Sequence, residues 1–282
     1  MQKLDSVIKR ISLGENRTYD LETTTHEASF KGLPDGLKGA TFVHLSDFHC
    51  GFARLESVYE EILAQTNALQ PDYIFFTGDF VDKRHGTSAY PIVELLSRFK
   101  AKQGVFGSYG NHDQRRGIPE TRKYLEKAGI EILCNESRQL ESGLWVAGVD
   151  DLGEGKPDIP ATFKNLPEDK TSLVLSHNPR LIEKAGGRDL LILSGHTHGG
   201  QVAPNPLTAF LICYLHHHCW EVGGWYRKGR TRLYVNRGAG MTGKPYRINC
   251  PAEIGVFQFA KEGEPKSSAS NVSANARELA SR

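Results

Sequence analysis

Short apolar runs alternate with amphipathic helical patterns in the first half of the chain. Residues 41–46 and 72–77 are nearly continuous apolar runs, which is typical of buried strands. Between them, apolar residues recur at helical spacing over 54–70. The same order continues with a helix at 89–99, a strand at 104–109, a helix at 119–128 and a strand at 130–134. This alternation predicts an α/β fold built from strand–helix–strand units.

The second half of the chain has more strand patterns and fewer helical ones. Further apolar runs lie at 143–149, 172–176, 190–194, 232–236 and 253–259. So many strands predict a second sheet that packs on the first. The expected organisation is an N-terminal extension (1–40) with an amphipathic helix and a strand, one folded domain (41–260) and a polar tail (261–282) whose composition predicts disorder.

Polar side chains with metal-binding chemistry follow five of these strand patterns. They are Asp47, His49, Asp79, Asn111, His177, His196 and His198. Strand ends of an open α/β sheet face one crevice, so we expect these side chains to meet there. Seven groups are too many for one tetrahedral ion and suit two ions that share a carboxylate. Oxygen and imidazole ligands without thiolate favour Mn, Fe or Zn over Ca, and Mn is our first expectation.

Each of these residues also has a simpler interpretation when it is taken alone. A polar residue that closes a strand is usually a turn former, and Asp47, Asp79 and His177 singly would be read that way. Gly78, Gly110 and Gly195 precede candidate ligands, and we expect them to permit tight turns that aim the next side chain inward. Five strand ends with the same chemistry favour a metal site over five separate turns.

Composition and charge limit the partners and the compartment. A net charge of +2 is too small to indicate nucleic-acid binding. Five scattered cysteines without a CxxC pair favour a reducing compartment. The chain shows neither a signal-peptide pattern nor an apolar run long enough to span a bilayer, so we expect a cytoplasmic protein.

Together the motifs resemble those of the calcineurin-like metallophosphoesterases, in the same order. They are Asp47-x-His49, Gly78-Asp79, Gly110-Asn111-His112-Asp113, His177 and Gly195-His196-x-His198. The resemblance implies a four-layer αββα sandwich with a dinuclear centre between its sheets. It further implies one ion on Asp47, His49, Asp79 and His198, and another on Asp79, Asn111, His177 and His196. Asp79 would bridge the two ions, and His112 would lie beside the substrate phosphate without being a ligand.

A narrower resemblance suggests a substrate class. The stretches "LSDFHCGF", "TGDFVD" and "GHTHGGQV" look like the bacterial branch of UDP-2,3-diacylglucosamine hydrolases and related membrane-associated phosphodiesterases. This implies hydrolysis of a phosphodiester or pyrophosphate bond, here in a lipid precursor of lipid A biosynthesis. The alternatives are a general soluble phosphodiesterase and an inactive scaffold with the same fold. A His-x-His amidohydrolase is disfavoured because its pair would come early in the chain.

Several residues are candidates for chemistry beyond the metal ligands. His112 is the expected proton donor to the leaving oxygen, with Asp113 holding its imidazole. Arg84, Arg115 and Arg116 are candidates for phosphate contacts, or else solvated surface residues.

Two further segments bear on substrate and membrane contact. For the apolar stretch 207–215, a core helix is favoured over a lid for acyl chains, and for His216, His217 and His218 a polar turn is favoured over a further ion site. Leu4, Val7, Ile8 and Ile11 share one helical face among basic residues. Such a helix packs on the domain, frays, or lies on the inner face of an anionic membrane. The sequence does not indicate an oligomeric state.

Overall fold

Thirteen strands form two stacked sheets within residues 6–12, 18–52, 55–82 and 92–263, which the computed structural model describes. The seven-stranded sheet has the order β1 (Ser6–Ser12), β2 (Thr18–Phe30), β13 (Ala252–Lys261), β3 (Thr41–Leu45), β4 (Tyr73–Thr77), β5 (Gly104–Ser108), β6 (Glu131–Ile132). The six-stranded sheet has the order β11 (Gly224–Lys228), β12 (Thr231–Val235), β10 (Leu190–Ser194), β9 (Ser172–Leu175), β8 (Trp145–Gly148), β7 (Glu136–Gln139).

Helices and short 3-10 turns connect these strands. The helices are α1 (Glu56–Ala68), α2 (Ile92–Leu96), α3 (Asn111–Arg116), α4 (Ile118–Lys127), α5 (Ile159–Phe163) and α6 (Pro206–His217). The 3-10 turns lie at Asp35–Leu37, Pro179–Lys184 and His198–Gly200. The strand and helix predictions for residues 41–134 match this order, with two exceptions: α3 was not predicted, and the helix predicted from 89 is described only from Ile92.

Each sheet contains four consecutive parallel strands, and antiparallel strands flank this run. β3, β4, β5 and β6 pair in parallel, as do β8, β9, β10 and β12. Parallel strands place their carboxyl ends on one edge, where the connecting loops gather. Both sheets therefore present several strand-to-helix loops on the side that forms the site described below.

Three hydrophobic cores define the layers. Between the sheets, Phe42, Phe75 and Phe257 of one sheet pack in a cluster with Leu173 and Leu191 of the other. A second cluster joins the seven-stranded sheet to α1 and α2, and a third joins the six-stranded sheet to α5 and the Pro179–Lys184 turn. Each sheet is thus buried on both faces, which is why its central strands are continuously apolar. The predicted α/β, four-layer αββα fold is confirmed.

The helix predicted at the N-terminus is wrong, because residues Ser6–Ser12 form strand β1. Its side chains alternate between exposed and half-buried, and the strand pairs antiparallel with β2. Val7, Ile8 and Ile11 are β-branched residues, which favour a strand over a helix when a partner edge is available. Leu4 lies outside the described residues. β2 pairs with β13, so the extension is an integral part of the first sheet.

The prediction that residues 207–215 form a helix of the core is wrong about the burial of that helix. The segment is helical as α6, but only Ala209 and Cys213 are buried, and Leu207, Leu211 and Leu215 are exposed. Of the tail predicted at 261–282, residues 264–282 lie outside the described residues. No described helix has the length and apolar composition needed to cross a membrane.

Candidate metal centre

The seven candidate ligands come together where the loops of the two sheets meet. Asp47 and His49 follow β3, Asp79 follows β4, and Asn111 begins α3 directly after β5. From the second sheet, His177 follows β9, and His196 and His198 follow β10. All seven are buried or nearly so. The structure therefore brings together every ligand that the sequence predicted.

One group of ligand atoms is formed by Asp47, His49 and His198. The Oδ1 atom of Asp47 lies 3.3 Å from Nε2 of His198 and 3.8 Å from Nε2 of His49. The two imidazole Nε2 atoms lie 3.0 Å apart. These three ligand atoms all lie within 4.8 Å of one another, which is close enough for one cation to contact all of them.

A second group is formed by Asp79, Asn111, His177 and His196. Nε2 of His177 lies 3.3 Å from Asp79 Oδ2 and 3.1 Å from Asn111 Oδ1. Nδ1 of His196 lies 3.0 Å from the same amide oxygen and 3.2 Å from His177 Nε2. Asp79 Oδ2 is also 3.4 Å from His49 Nε2 in the first group. This carboxylate thus lies between the two groups, where a bridging ligand is needed.

The donor chemistry fits divalent cations. Burial by itself raises the pKa of Asp47, but the neighbouring His198 and His177 outweigh it and hold that pKa well below its usual value. For Asp79, His177 likewise outweighs the effect of burial and lowers the pKa. Two buried ionised carboxylates among imidazole nitrogens that face one another form a cradle for positive charge. Oxygen and nitrogen donors without thiolate suit Mn, Fe or Zn.

Five of the seven ligands have left-handed backbone conformations. The φ angles are 55° at Asp47, 47° at His49, 54° at Asp79, 74° at His196 and 52° at His198. This region costs a non-glycine residue about 1–3 kcal/mol, and such residues concentrate at functional sites. Backbone hydrogen bonds hold two of these loops, because Asp47 N donates to Gly78 O and His49 N to Asp79 O. The surrounding fold therefore maintains a strained ligand arrangement.

The glycines beside the ligands serve different purposes. Gly78 has φ of 82°, so it permits the turn before Asp79 as predicted. Gly110 and Gly195 do not adopt positive φ and instead provide room. A Cβ atom at Gly110 would overlap the carboxylate of Asp79, and one at Gly195 would overlap Ser46 and Asp47.

Asp113 does not orient His112, so that part of the sequence prediction is wrong. Its carboxylate accepts hydrogen bonds from the backbone N–H groups of Asp79, Phe80 and Gly110. Three backbone donors use its oxygens, so Asp113 fixes the loops that carry Asp79 and Asn111. His112 contributes to the same loops, because its backbone N–H donates to Asp79 Oδ1.

The carboxylate that faces the His112 imidazole belongs to Asp82. Its Oδ2 atom lies 3.6 Å from His112 Nδ1 and 3.7 Å from His49 Nδ1. Neither Nδ1 atom has a hydrogen-bond partner among the described residues. Asp82 is buried and was missed by sequence reasoning, although it lies only three residues after Asp79 in "TGDFVD". Its position suits an acceptor that leaves Nε2 of each imidazole free for chemistry.

A cavity of about 610 Å³ opens over this centre. Its walls include His49, Asp79, Asn111, His112, Arg115, His196, His198, Val202, Ile212, His216, His217 and Lys244. Arg115 reaches the cavity while pairing with Glu154 at 2.7 Å. Arg116 does not line it; its guanidinium lies 3.3 Å from Glu120 and over the ring of Tyr124. Arg84 lies outside the described residues.

The histidines that follow the apolar stretch are not a simple polar turn. His216 and His217 form the last turn of α6 and line the cavity, and the ring of His217 packs edge-on against His196 at 4.8 Å. Lys244 reaches the same cavity from the loop between β12 and β13. No short motif marks His217 or Lys244, because only the tertiary fold brings them to the site.

Comparison with known proteins identifies the family. The sequence profile described as "Calcineurin-like phosphoesterase" matches residues 40–200. The chain belongs to this family. It is 34% identical to the metallophosphoesterase YkuE of Bacillus subtilis, over 84% of this chain and 85% of that protein. It is 31% identical to the metallophosphoesterase Cj0846 of Campylobacter jejuni, over 80% of this chain but only 61% of that longer protein. Among solved structures, the sulfate thiohydrolase SoxB of Thermus thermophilus is 14% identical with a TM-score of 0.44, over 86% of this chain and 60% of that chain.

The phosphoesterase is therefore a hydrolase with a divalent metal centre. The family match ends at residue 200, two residues after His198, so all seven candidate ligands lie inside it. α6, Lys244 and the loop between β12 and β13 lie beyond the match. These later elements form part of the cavity wall.

Replacing Asp82 by asparagine should lower kcat by about 10- to 100-fold, the usual cost of losing a carboxylate that orients an active-site imidazole. Asparagine keeps the size of the side chain but loses the charge beside His112 and His49. Steady-state kinetics on a phosphodiester, with metal content measured in parallel, test this. If Asp82 acts through His112, Asp82→Asn should cause no further loss of kcat in a His112→Ala variant. Additive losses would contradict that role. Asp113→Asn is the comparison variant: because it loosens the loops that carry Asp79 and Asn111, it should lower both the melting temperature and the metal content.

Proposed function

We propose that this phosphoesterase uses two divalent ions, with manganese preferred, to cleave a phosphodiester or pyrophosphate bond. The observation that carries the proposal is the pair of ligand groups on either side of Asp79. Asp79 Oδ2 lies 3.4 Å from His49 in one group and 3.3 Å from His177 in the other. A carboxylate between two sets of imidazoles suits two adjacent cations.

The residues around that centre have different roles in the proposed reaction. Bound divalent ions supply Lewis acidity, which lowers the pKa of a water and neutralises charge on a phosphate. Asp47, His49 and His198 would hold one ion, and Asn111, His177 and His196 would hold the other, with Asp79 available to both. His112 stands at the edge of the centre, where its ring packs edge-on against His49 at 4.6 Å. Its task is to donate a proton or hydrogen bond to the leaving oxygen.

The cavity walls support a substrate with both anionic and apolar parts. Arg115 and Lys244 are cationic wall residues that suit further phosphate oxygens. Val202 and Ile212 add apolar surface to the same cavity. We therefore propose an amphiphilic phosphate ester of the UDP-2,3-diacylglucosamine type, taken from a membrane surface. A soluble phosphodiester is the alternative substrate.

Metal reconstitution tests the reaction class. Protein stripped with a chelator should be inactive, and Mn²⁺ should restore hydrolysis of bis(p-nitrophenyl) phosphate as about two ions bind per chain. Elemental analysis after desalting and a titration of activity against added metal provide the measurements. Full activity with a single bound ion, or no activity with two, would overturn the proposed function.

The substrate class is tested separately on the reconstituted enzyme. UDP-2,3-diacylglucosamine should have a higher kcat/KM than its deacylated analogue, because acyl chains gain apolar contacts in the cavity. Equal values for the two compounds would identify a soluble phosphodiester as the substrate class while leaving the metal chemistry in place.

A further inference from the structure

Helix α6 presents an apolar face to solvent beside the cavity. The exposed fractions are 67% for Leu207, 45% for Leu211, 42% for Tyr214 and 65% for Leu215. These residues are spaced by four, three and one positions, so they form one continuous stripe on the helix. A stripe of large apolar side chains on a surface marks an interaction site.

Neighbouring residues widen this surface. Trp220 is 56% exposed, and its ring packs against Tyr214 at 4.4 Å. We call Leu207, Leu211, Tyr214, Leu215 and Trp220 the α6 face. Tryptophan and tyrosine are the aromatic residues that concentrate at the boundary between bilayer and water.

A second exposed segment lies next to the start of α6. Tyr246 and Ile248 are both exposed. Ile248 is held beside the residues that precede the helix, because its N–H donates to Gln201 O and its carbonyl accepts from Ala203 N. The apolar surface thus extends from the helix to the loop between β12 and β13.

The charges around the α6 face are complementary to an anionic surface. The chain has no aspartate or glutamate from 201 to 220, and none from 238 to 252. Within these stretches, the charged residues are Lys244, which is exposed, and Arg247, which is half-buried and donates its guanidinium hydrogen bonds to the backbone carbonyls of Arg237, Gly238 and Gly240. Headgroups of anionic lipids would therefore meet the ammonium group of Lys244 and no carboxylate from these segments.

The opposite side of the helix belongs to the metal-centre cavity. Ile212, His216 and His217 of α6 line that cavity. One short helix therefore separates the α6 face from the site of chemistry. Contact of this face with a bilayer would bring the cavity mouth to the depth of lipid phosphates.

We propose that the α6 face inserts into the outer part of an anionic lipid bilayer and thereby presents the cavity to membrane-held substrate. The twelve residues of α6 lie along the interface, since a helix of this length is about 18 Å long and too short to span a membrane. This face takes the place of the N-terminal helix that the sequence suggested. The role of membrane contact in catalysis rests on the proposed function, whereas the test of membrane binding is independent of that function.

Vesicle binding by the full-length protein tests the inference. Vesicles of phosphatidylcholine with phosphatidylglycerol should sediment the wild-type chain, and a Leu211→Glu, Leu215→Glu double variant should bind at least about tenfold more weakly, because two apolar anchors become charged. Ile8→Glu is the matched control, since Ile8 is 58% exposed but lies on β1, and its binding should match wild type. A blue shift of tryptophan fluorescence on binding should be lost in Trp220→Phe.

Hydrolysis of bis(p-nitrophenyl) phosphate without vesicles should be unchanged in the double variant. Loss of vesicle binding with this activity intact supports the inference, and an inactive wild-type enzyme would instead count against the proposed function. Equal vesicle binding by wild type and the double variant would overturn the inference. A second result would also overturn it: the wild-type chain is a dimer in sedimentation velocity and does not bind vesicles, whereas the double variant is a monomer. A second copy of the chain would then cover the α6 face.

Discussion

Replacing Asp79 by asparagine should reduce bound Mn²⁺ from two ions per chain to less than one and lower kcat by more than about 10³-fold, because both ions lose their shared ligand. The carboxylate lies between His49 and His177, and its other oxygen accepts the backbone N–H of His112. Asparagine tolerates the left-handed backbone at this position, where φ is 54°. The variant should therefore fold, so a loss of metal can be attributed to the missing negative charge of Asp79.

The comparison variant for Asp79 is His49→Ala. His49 faces Asp47 and His198 in one group, so its loss should mainly empty that group and leave about one ion per chain. Elemental analysis and circular dichroism on both variants separate metal loss from misfolding. Two ions retained in Asp79→Asn, or both lost in His49→Ala, would contradict the arrangement in which Asp79 bridges.

The buried strands could be read from the sequence because their environment is simple. β3, β4 and β10 are mostly apolar and almost entirely buried, since sheets covered on both faces have no solvent side. The rule that polar residues at parallel strand ends converge then located the seven candidate ligands, which the structure brings together. The local pattern of apolar and polar residues was sufficient to predict an element wherever both of its faces have the same surroundings.

Local pattern failed where the surroundings decide between two structures. Residues Ser6–Ser12 are few enough to fit a helix or a strand, and the free edge of β2 selected the strand. In α6, apolar composition does not tell which side is covered, and only Ala209 and Cys213 turned out to be buried. A helix that is apolar all round reads as a core helix, although here one side faces solvent.

The supporting residues of the site were the hardest to predict. Asp113 follows His112 in the sequence, yet its carboxylate is used by backbone N–H groups. Asp82 occupies the expected place from a different loop. His217 and Lys244 come from segments far along the chain. Contacts of this kind depend on how loops fold over one another, which spacing in sequence does not encode.

Replacing His112 by alanine should leave both ions bound and lower kcat by about 10²- to 10⁴-fold, the range for loss of a general acid. His112 lies in the cavity wall beside Asp82 and is not among the ligand atoms grouped around Asp47 and Asp79. Burial lowers the pKa of His112 to about 4. A negative phosphate beside the imidazole would favour its protonated form.

Substrates with different leaving groups distinguish the two roles that His112 can play. A p-nitrophenolate leaving group departs without a proton, so an acid role predicts a much smaller loss for His112→Ala on bis(p-nitrophenyl) phosphate than on an alkyl phosphodiester. Equal losses on both esters would assign His112 to stabilising charge on the phosphate. His216→Ala is the control, because His216 also lines the cavity but is exposed. Loss of either ion in His112→Ala would contradict both roles, since the imidazole would then be needed to build the centre itself.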